Sequence, residues 1–364
     1  MVFFLRTLSL SKGKEIVLRV LAVCFWVLLI SLFLWSPKVK KIFRKEKSLS
    51  LYVFPKLINA KYLTKFEKET GIKLYINYYE NNDELLVKMK KTSGKGYDII
   101  LPSDYAVEIL KQEGLLKKLD KSKLTFFKNL DPKFLGQYFD PHNNYSIPYS
   151  WETYKIGFNK NFFKDNNLNS SWDLIFKDDP SVRCVIMANN AREVILMAAF
   201  YLFGSIDNLD AEKIQKIKEL LIKQKKWVEV YSDLRSDYLL SSETCPLAVG
   251  TSGEIWKATR FDENLGYVVP KEGTFMLIDS IAVSAASKKD DLIYKFLNFL
   301  YQKESVDYHV NRYSLFPVVK GAKIDAYCKE TIDKIFKTAK KIEFFRSVLS
   351  EDQLNEIWID LKVR

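Results

Sequence analysis

Asp279 is the first residue that suggests chemistry, because it is a carboxylate inside a strand-like segment. The segment TFMLIDSIAVS, residues 274–284, otherwise holds mainly apolar, β-branched and small hydroxyl residues. A buried carboxylate is costly unless a cation meets it or it takes up a proton. Two partners remain open at this stage, an internal Arg or Lys and a cationic ligand.

The residues that usually build metal centres or nucleophilic sites are scarce. The chain has four cysteines without a CxxC pair and only two histidines, His142 and His309. This excludes the usual zinc clusters and argues against a Cys/His catalytic pair. The sequence contains no GxGxxG, no GxxxxGK[ST] and no serine nucleophile elbow. We therefore predict a protein that is not an enzyme and that needs no metal and no cofactor.

The cysteines leave the redox state open. One disulfide among Cys184, Cys245 and Cys328 is compatible with an oxidising compartment. The alternative, which the sequence favours because no paired spacing is present, is that all three are unpaired core thiols.

Composition and charge separate a basic N-terminal tail from a balanced body. The 364 residues are 48% apolar, which is enough for two globular lobes with their own cores. The net charge is +12, and residues 1–47 hold 10 Lys/Arg against 2 Glu. The remaining chain holds 47 Lys/Arg against 43 Asp/Glu, a net charge of only +4. A body with so little excess charge is not predicted to bind nucleic acid.

An uncharged apolar run, residues 20–35, lies within this tail. It is shorter than the ~20 residues of a transmembrane helix and closer to the apolar region of a signal peptide. Ser36, Pro37 and a basic stretch at 38–47 follow, without a small-x-small cleavage site. An uncleaved signal anchor, a cleaved signal and a helix buried in the fold all remain open. We favour the first, which predicts an exported protein anchored to the cytoplasmic membrane.

The body alternates strand and helix patterns. SLSLYVF (48–54), NAKYLTKFEKETGI (59–72), KLYINYYE (73–80), NDELLVKMKKT (82–92), YDIILPS (97–103) and YAVEILKQEG (105–114) follow each other as β-α-β-α-β-α. A second series starts near residue 157. The pattern predicts an α/β protein of mainly parallel sheets flanked by helices. Because ligands bind at the carboxyl ends of parallel strands, Ser103, Asp104 and Tyr105 are candidate contacts.

Several long segments carry a family resemblance. They are KFEKETGIKLYINYYENNDELLVKMK (65–90), YDIILPSDYAVEILKQEGLLKKLDKSKLTFFKNLDPKF (97–134), FDPHNNYSIPYSW (139–151), NNAREVILMA (189–198) and VVPKEGTFMLIDSIAVSA (268–285). In this order, across roughly residues 48–320, the chain resembles the spermidine/putrescine-binding proteins of bacterial polyamine ABC importers. The resemblance implies a two-lobed periplasmic-binding-protein fold with the ligand held in a cleft that closes by a hinge motion.

The resemblance also implies a domain organisation. Residues 1–47 are expected to form the signal or anchor with a basic spacer. Lobe 1 is expected to comprise residues 48–155 and about 278–322, and lobe 2 about 156–277 and 323–364. No linker rich in Gly, Ser or Pro separates the two series, which is typical of interleaved lobes.

Five residues match ligand-binding positions of the family: Asp279, Glu193, Ser103, Tyr105 and Ser232. Each has an alternative explanation or a weaker basis. Asp279 fits an internal ion pair, and Glu193 stands nearly at the spacing of a helix capping box from Asn190. Tyr105 fits a rim tyrosine that only packs, and the segment around Ser232 aligns loosely.

The chain departs from the family pattern at other positions. Phe54 and Lys56 replace a tryptophan and a glutamate after the first strand, and Asn190 replaces an acid. At two further positions where the family has tryptophan, this chain has Thr251 and Leu277. We expect Phe54 to line the cleft, whereas Lys56 is consistent with a solvated position, with repulsion of one amine, or with binding of an anionic group.

Two carboxylates partly restore the lost negative charge. Glu254, in VGTSGEIW, stands where putrescine-preferring relatives carry an acid, although an exposed glutamate at a helix start is the alternative. Asp104 stands where the family has a small or polar residue and is a candidate third carboxylate.

The sequence thus favours an extracytoplasmic binding protein that delivers a polyamine, putrescine and/or spermidine, to an ABC permease and through it to the ATPase. A binding protein of the same fold for an amino-acid-like or anionic solute is the first alternative, and Lys56 in the cleft would favour it. An enzyme on this fold is the second alternative, but no nucleophile beside a polarised base is found.

Overall fold

A computed structural model of the chain describes residues 12–35, 47–163, 168–182, 184–232 and 236–363. The chain divides into two compact units, residues 1–47 and residues 48–364. Each unit is described by itself below.

Within the described part of the first unit, residues 12–35 form the helix α1 (Lys12–Trp35). Its described side chains from Val17 to Phe33 are exposed. Among the residues that the structure describes, no helix is long and apolar enough to cross a membrane. The membrane anchor predicted for this segment is not confirmed.

The second unit is built on a sheet of eleven strands. The strands are β1 (Ser48–Val53), β2 (Lys73–Tyr78), β3 (Ile99–Ile100), β4 (Ser146–Asn159), β5 (Val185–Met187), β6 (Val228–Tyr231), β7 (Leu247–Thr251), β8 (Leu265–Val268), β9 (Thr274–Val283), β10 (Phe316–Pro317) and β11 (Ile342–Phe344). Their main spatial order is β2-β1-β3-β9-β4-β7-β5-β6.

The helices of this unit cover the sheet and bury apolar faces against it. They are α2 (Ala60–Thr70), α3 (Asn82–Thr92), α4 (Asp104–Gln112), α5 (Asp173–Phe176), α6 (Ala191–Phe203), α7 (Ala211–Gln224), α8 (Ser236–Ser241), α9 (Ser252–Phe261), α10 (Asp290–Leu300), α11 (Lys303–Tyr313), α12 (Ala326–Thr338) and α13 (Glu351–Val363).

The β-α-β-α-β-α series predicted near the N-terminus of the body is confirmed by β1, α2, β2, α3, β3 and α4. Asn59 caps the start of α2 by accepting a hydrogen bond from the Tyr62 amide. Gly71 ends α2 in the left-handed region at φ 68°, which favours glycine. The predicted boundaries of this helix are therefore correct to within one or two residues.

Long central strands divide the sheet into two halves. Residues 146–153 of β4 pair with β9, whereas residues 154–158 pair with β7. We call β1, β2, β3, β10, residues 277–283 of β9 and residues 146–153 of β4 the first half-sheet. The second half-sheet is β5, β6, β7, β8, β11, residues 274–276 of β9 and residues 154–159 of β4. The partner of β4 changes between Thr153 and Tyr154, so the two halves meet there.

The expectation of mainly parallel sheets holds only for the outer strands. β1 pairs in parallel with β2 and β3, and β5 pairs in parallel with β6 and β7. The central pairs β3–β9, β9–β4 and β4–β7 are antiparallel. The reason is that β4 and β9 are crossing strands that run between the halves, and no βαβ connection sets their direction.

The expectation of unpaired core thiols is wrong for two of the three cysteines. Cys184 and Cys245 form a disulfide with a Cα–Cα distance of 5.0 Å, whereas Cys328 is a buried free thiol. The pair is brought together because Val185 and Leu247 are neighbours in the parallel β5–β7 ladder. Spacing along the chain could not show this, since 61 residues separate the two cysteines.

Replacing both Cys184 and Cys245 with serine is expected to lower the free energy of unfolding by about 3 kcal/mol, because the unfolded chain gains the freedom that the cross-link removes. Urea unfolding of the variant and of the wild type in dithiothreitol should give the same reduced midpoint. A wild-type midpoint that is insensitive to the reductant would contradict the pairing.

Candidate functional site

A cleft lies at the meeting line of the two half-sheets and encloses about 1010 Å³, part of it open to solvent. Both halves contribute lining residues, because the loops that follow β1, β2, β3, β5 and β7 all reach it. The lining includes Phe54, Lys56, Tyr79, Glu80, Ser103, Glu152, Tyr154, Asn190, Glu193, Ser232, Thr251, Glu254, Lys257, Leu277, Asp279 and Tyr313.

Asp279 lines this cleft from the middle of β9. Its Oδ2 accepts a hydrogen bond from the Ser150 hydroxyl at 3.4 Å. Within the described part of the chain it forms no ion pair with Lys or Arg, so the internal cation that the sequence left open is not found there. Burial, together with the negative charges of Glu152 and Asp104, raises the pKa of Asp279 well above its usual value.

Glu152 is a second cleft carboxylate, and the sequence interpretation missed it. It lies on β4 opposite Leu277 of β9, and its Oε1 accepts a hydrogen bond from the Gly253 amide at 2.8 Å. A Cβ atom at position 253 would come within 2.5 Å of that oxygen, so the close approach requires glycine. Burial raises the pKa of Glu152, although the Gly253 amide and the Lys257 charge oppose the shift.

Glu193 is positioned by the first turn of α6. Asn190 caps this helix by accepting a hydrogen bond from the Glu193 amide at 3.1 Å, which is one half of the capping box considered as the alternative role of Glu193. The Glu193 carboxylate also accepts a hydrogen bond from the hydroxyl of Tyr154, another missed residue of the cleft. The cap therefore fixes the backbone of Glu193 while its side chain faces the cleft.

Glu254 is positioned in the same way by the first turn of α9. The Thr251 hydroxyl accepts a hydrogen bond from the Glu254 amide at 3.5 Å. The side chain lines the cleft and is half-buried, so the alternative of an exposed glutamate at a helix start is wrong.

Ser103, Phe54 and Ser232 were also predicted to face the ligand, and all three line the cleft. Ser103 forms an isolated antiparallel bridge with Asp279, which places the two residues side by side. Phe54 packs against the ring of Tyr79 at a centroid distance of 5.8 Å. The cleft wall on this side is therefore partly aromatic.

Asp104 and Tyr105 are not among the residues that line the cleft, in contrast to the expectation. Both belong to the first turn of α4, and their exposed fractions are 0% and 1%. The Asp104 Oδ1 accepts a hydrogen bond from the Tyr105 amide at 2.8 Å. The reason for the difference is that the helix begins directly at residue 104, which turns both side chains into the protein.

Lys56 and Lys257 place positive charge in the cleft lining. Lys56 adopts a left-handed backbone conformation at φ 69° in the turn after β1. Lys257 follows Glu254 by three residues on α9, and its charge opposes the raised pKa of Glu152. Of the three positions open for Lys56, its place in the cleft lining favours the two in which it faces the cleft.

The missed residues had a recognisable signal in the sequence. Glu152 and Tyr154 stand two residues apart in a buried strand, so they must point to the same side of the sheet. Lys257 stands three residues after Glu254, which places both on one helix face. Neither spacing identifies a site until the position of the cleft is known.

Carboxylates dominate the charge of the cleft. Five line it, Glu80, Glu152, Glu193, Glu254 and Asp279, against the two lysines. Aromatic rings and apolar side chains fill part of the space between them. Such a surface is suited to an organic cation with an apolar body, since each ammonium group finds a carboxylate and ring faces contact the carbon chain.

This fold and cleft define a class of two-lobed solute-binding proteins. The model of the family "Bacterial extracellular solute-binding protein" matches residues 61–334. Because the match covers well over half of the chain, the chain belongs to this family.

Similar proteins include curated binding proteins from several bacteria. The "Spermidine/putrescine-binding periplasmic protein" of Salmonella typhimurium is 34% identical over 70% of this chain and 72% of its own length. The "Putrescine-binding periplasmic protein SpuD" of Pseudomonas aeruginosa is 32% identical over 71% of this chain and 75% of its own length.

A solved structure extends the similarity to the fold. The spermidine/putrescine ABC transporter substrate-binding protein PotD of Streptococcus pneumoniae matches with a TM-score of 0.74 and 26% identity. The match covers 87% of this chain and 99% of that chain. The two-lobed fold predicted from the sequence is confirmed.

Proposed function

We propose that this protein captures a polyamine outside the cytoplasm and delivers it to an ABC importer. The observation that carries the proposal is the convergence of five carboxylates from both half-sheets on one cleft, against two lysines among its described lining residues. The names of the relatives, which are spermidine/putrescine- and putrescine-binding proteins, support the same ligand class.

The chemistry of the cleft fits a polyamine better than a compact cation. A polyamine places ammonium groups at fixed distances along a flexible methylene chain. Carboxylates from two facing halves can meet separate ammonium groups, and closure strengthens each ion pair because water leaves the cleft. A ligand that bridges the halves favours the closed state, which is a population shift.

We assign the ligand contacts by position in the cleft. Asp279 lies between Ser103 and Glu152 and is the proposed central partner of an ammonium group. Glu193 and Glu254 approach from the second half-sheet. Aromatic and hydroxyl side chains complete the proposed contact set: Phe54, Tyr154, Ser103 and Ser232. In this proposal the lobes are residues 48–155 with about 278–322 and about 156–277 with 323–364, and β4 and β9 cross between them.

Location and partners follow from the same proposal. We propose export directed by the apolar run at residues 20–35, and the Cys184–Cys245 disulfide is the kind of bond that persists in an oxidising compartment. We further propose that the apolar run is not cleaved and stays in the protein as a membrane anchor. Mass spectrometry of the protein purified from cells distinguishes this uncleaved chain from one whose signal peptide has been removed. The proposed partners are the permease subunits and, through them, the ATPase.

A second candidate has one observation in its favour. Lys56 and Lys257 line the cleft, and an ammonium group there is suited to a ligand carboxylate. The second candidate is therefore a solute with one amine and one carboxylate, captured by the same fold.

Calorimetric titration of the purified protein separates the two candidates. Putrescine, cadaverine, spermidine and spermine are titrated beside γ-aminobutyrate and lysine, at two salt concentrations. We expect at least one polyamine to bind with a Kd at or below about 1 μM, with weaker binding at high salt because the contacts are ionic. Binding of only the amino acids would replace the first candidate with the second, and no heat from any of these ligands would refute both.

A further inference from the structure

A partly buried group of charged and aromatic side chains lies outside the cleft, between helices of the two half-sheets; three of its five members are buried, whereas Asp83 and Glu351 are exposed. We call it the Arg192 cluster: Asp83, Asp104, Tyr105, Arg192 and Glu351. Asp83 belongs to α3 and Asp104 and Tyr105 to α4, and α4 packs against α3 and β9 of the first half-sheet. Arg192 belongs to α6 and Glu351 to α13, and α13 packs on α6 and α7 beside the second half-sheet.

Arg192 is held by its own half of the molecule. Its exposed fraction is only 3%, and one guanidinium nitrogen donates a hydrogen bond to the Arg346 carbonyl oxygen at 3.3 Å. Another guanidinium nitrogen forms an ion pair with the Glu351 carboxylate. Because the backbone of Arg346 and the side chain of Glu351 hold it, the guanidinium moves with the second half-sheet.

The face of the same guanidinium meets the other half. It lies over the ring of Tyr105, with its central carbon 4.7 Å from the ring centroid. Tyr105 is buried at the start of α4, directly after β3. The stack therefore joins an arginine carried by the second half-sheet to an aromatic ring carried by the first.

Charge complementarity supports the same contact. Burial raises the pKa of Asp83 and of Asp104, and in both cases the positive charge of Arg192 opposes the shift. Both carboxyl groups belong to the first half. The arginine therefore faces a ring and two acidic groups across the boundary, while its hydrogen bonds stay on its own side.

We propose that Arg192 and Tyr105 form a latch that stabilises the closed arrangement of the two halves. A rotation that moves α4 away from α6 separates the guanidinium from the ring and exposes both to water. Arg192 also precedes Glu193 in the first turn of α6, so the latch fixes the turn that presents a cleft carboxylate. Both are positioning residues, since neither lines the cleft.

The latch has a defined consequence for binding, and this consequence rests on the proposed solute-binding function. A contact present only in the closed state raises the affinity for every ligand that needs closure, by the same factor. A desolvated cation–π contact of this kind contributes about tenfold in an equilibrium constant. Loss of the latch should therefore lower the affinity without changing the preference among ligands.

Hydrogen–deuterium exchange of the full chain without ligand tests the latch independently of any ligand. Arg192→Lys keeps the charge but removes the planar face, and we expect faster exchange of the amides in the first two turns of α4, across the boundary. Tyr105→Leu should have the reciprocal effect on the first two turns of α6. Tyr105→Phe retains the ring and should exchange like the wild type.

Arg260→Lys is the matched control, because Arg260 also lies 4.7 Å from an aromatic centroid, that of Trp256, but on the same helix α9. It should leave α4 unchanged. The latch would be overturned if Arg192→Lys changed amide exchange only within α6 and α13, or if Tyr105→Phe changed exchange as much as Tyr105→Leu.

The second readout is affinity. For ligands that bind the wild type, Arg192→Lys and Tyr105→Leu should each lower the affinity about tenfold, with unchanged ratios between ligands. Altered ratios would refute that consequence, whereas absence of all binding would refute only the proposed function.

Discussion

Replacing Asp279 with asparagine is expected to weaken polyamine binding by at least about 1000-fold, which corresponds to about 4 kcal/mol. The change removes the negative charge and leaves the ammonium group of the ligand buried without its counter-ion. The asparagine keeps the size of the side chain and an oxygen for the Ser150 hydroxyl. Titration calorimetry with the polyamine that binds the wild type most tightly measures the loss.

Asp291→Asn is the matched control, because Asp291 is an exposed carboxylate on α10 and the change in net charge is the same. The control should bind like the wild type at physiological salt. Thermal unfolding of ligand-free Asp279→Asn should show no loss of stability, because the asparagine avoids the cost of ionising a buried carboxyl group beside Glu152. A Kd within threefold of the wild type would refute the ligand role of Asp279.

The same carboxylate predicts how binding depends on pH. Burial and the charges of Glu152 and Asp104 raise the pKa of Asp279, so the free protein holds a proton there at pH values where an exposed aspartate is ionised. An ammonium group binds the ionised form, and the proton is released. Affinity should therefore rise as the pH rises toward the pKa of Asp279, and the binding heat should depend on the ionisation enthalpy of the buffer. Both effects should be smaller in Asp279→Asn.

The second large effect is expected from Asp104, whose substitution with asparagine should stabilise the protein by about 4 kcal/mol at pH 8. Burial is the main cause that raises its pKa from 3.8 to about 8. Between these values the folded protein binds a proton that the unfolded chain has lost, so the stability of the wild type falls as the pH rises through this range. The full shift corresponds to roughly 6 kcal/mol, and burying the new amide group offsets part of the gain.

Urea unfolding at pH 5 and pH 8 measures this effect. The advantage of Asp104→Asn should be small at pH 5 and largest at pH 8, because the asparagine does not titrate. The asparagine oxygen still accepts the Tyr105 amide hydrogen bond, which is 2.8 Å long in the wild type. Asp291→Asn, also in the first turn of a helix, controls for the interaction with the helix dipole. A stability difference independent of pH would contradict the raised pKa.

Local sequence was sufficient to predict the helices and strands at the start of the second unit. The helix that ends at Gly71 was predictable because a left-handed cap residue and an apolar period are both local properties. The antiparallel direction of β4 and β9 was not predictable in the same way. Strand direction depends on partners more than 100 residues away, and no short-range period records them.

The candidate site shows the same division. Asp279 was predictable from one charge in an apolar strand, and the long segments that resemble polyamine-binding proteins indicated Glu193 and Ser103. Glu152 was missed because its segment also holds Ser150, Thr153 and Lys155, so one more polar residue does not stand out there as Asp279 does in its apolar strand. Its role depends on the Gly253 amide, which comes from a helix 101 residues later in the chain.

The sequence by itself determined the family, the strand and helix alternation, and the position of one carboxylate in a buried strand, because these are carried by residue types and short periods. Only the tertiary structure decided which side chains share a space. It joined Cys184 to Cys245 and brought Lys56 into the cleft lining. It also moved Asp104 and Tyr105 from a predicted ligand site to the Arg192 cluster. The physical reason is that burial and pairing depend on which distant segments pack together.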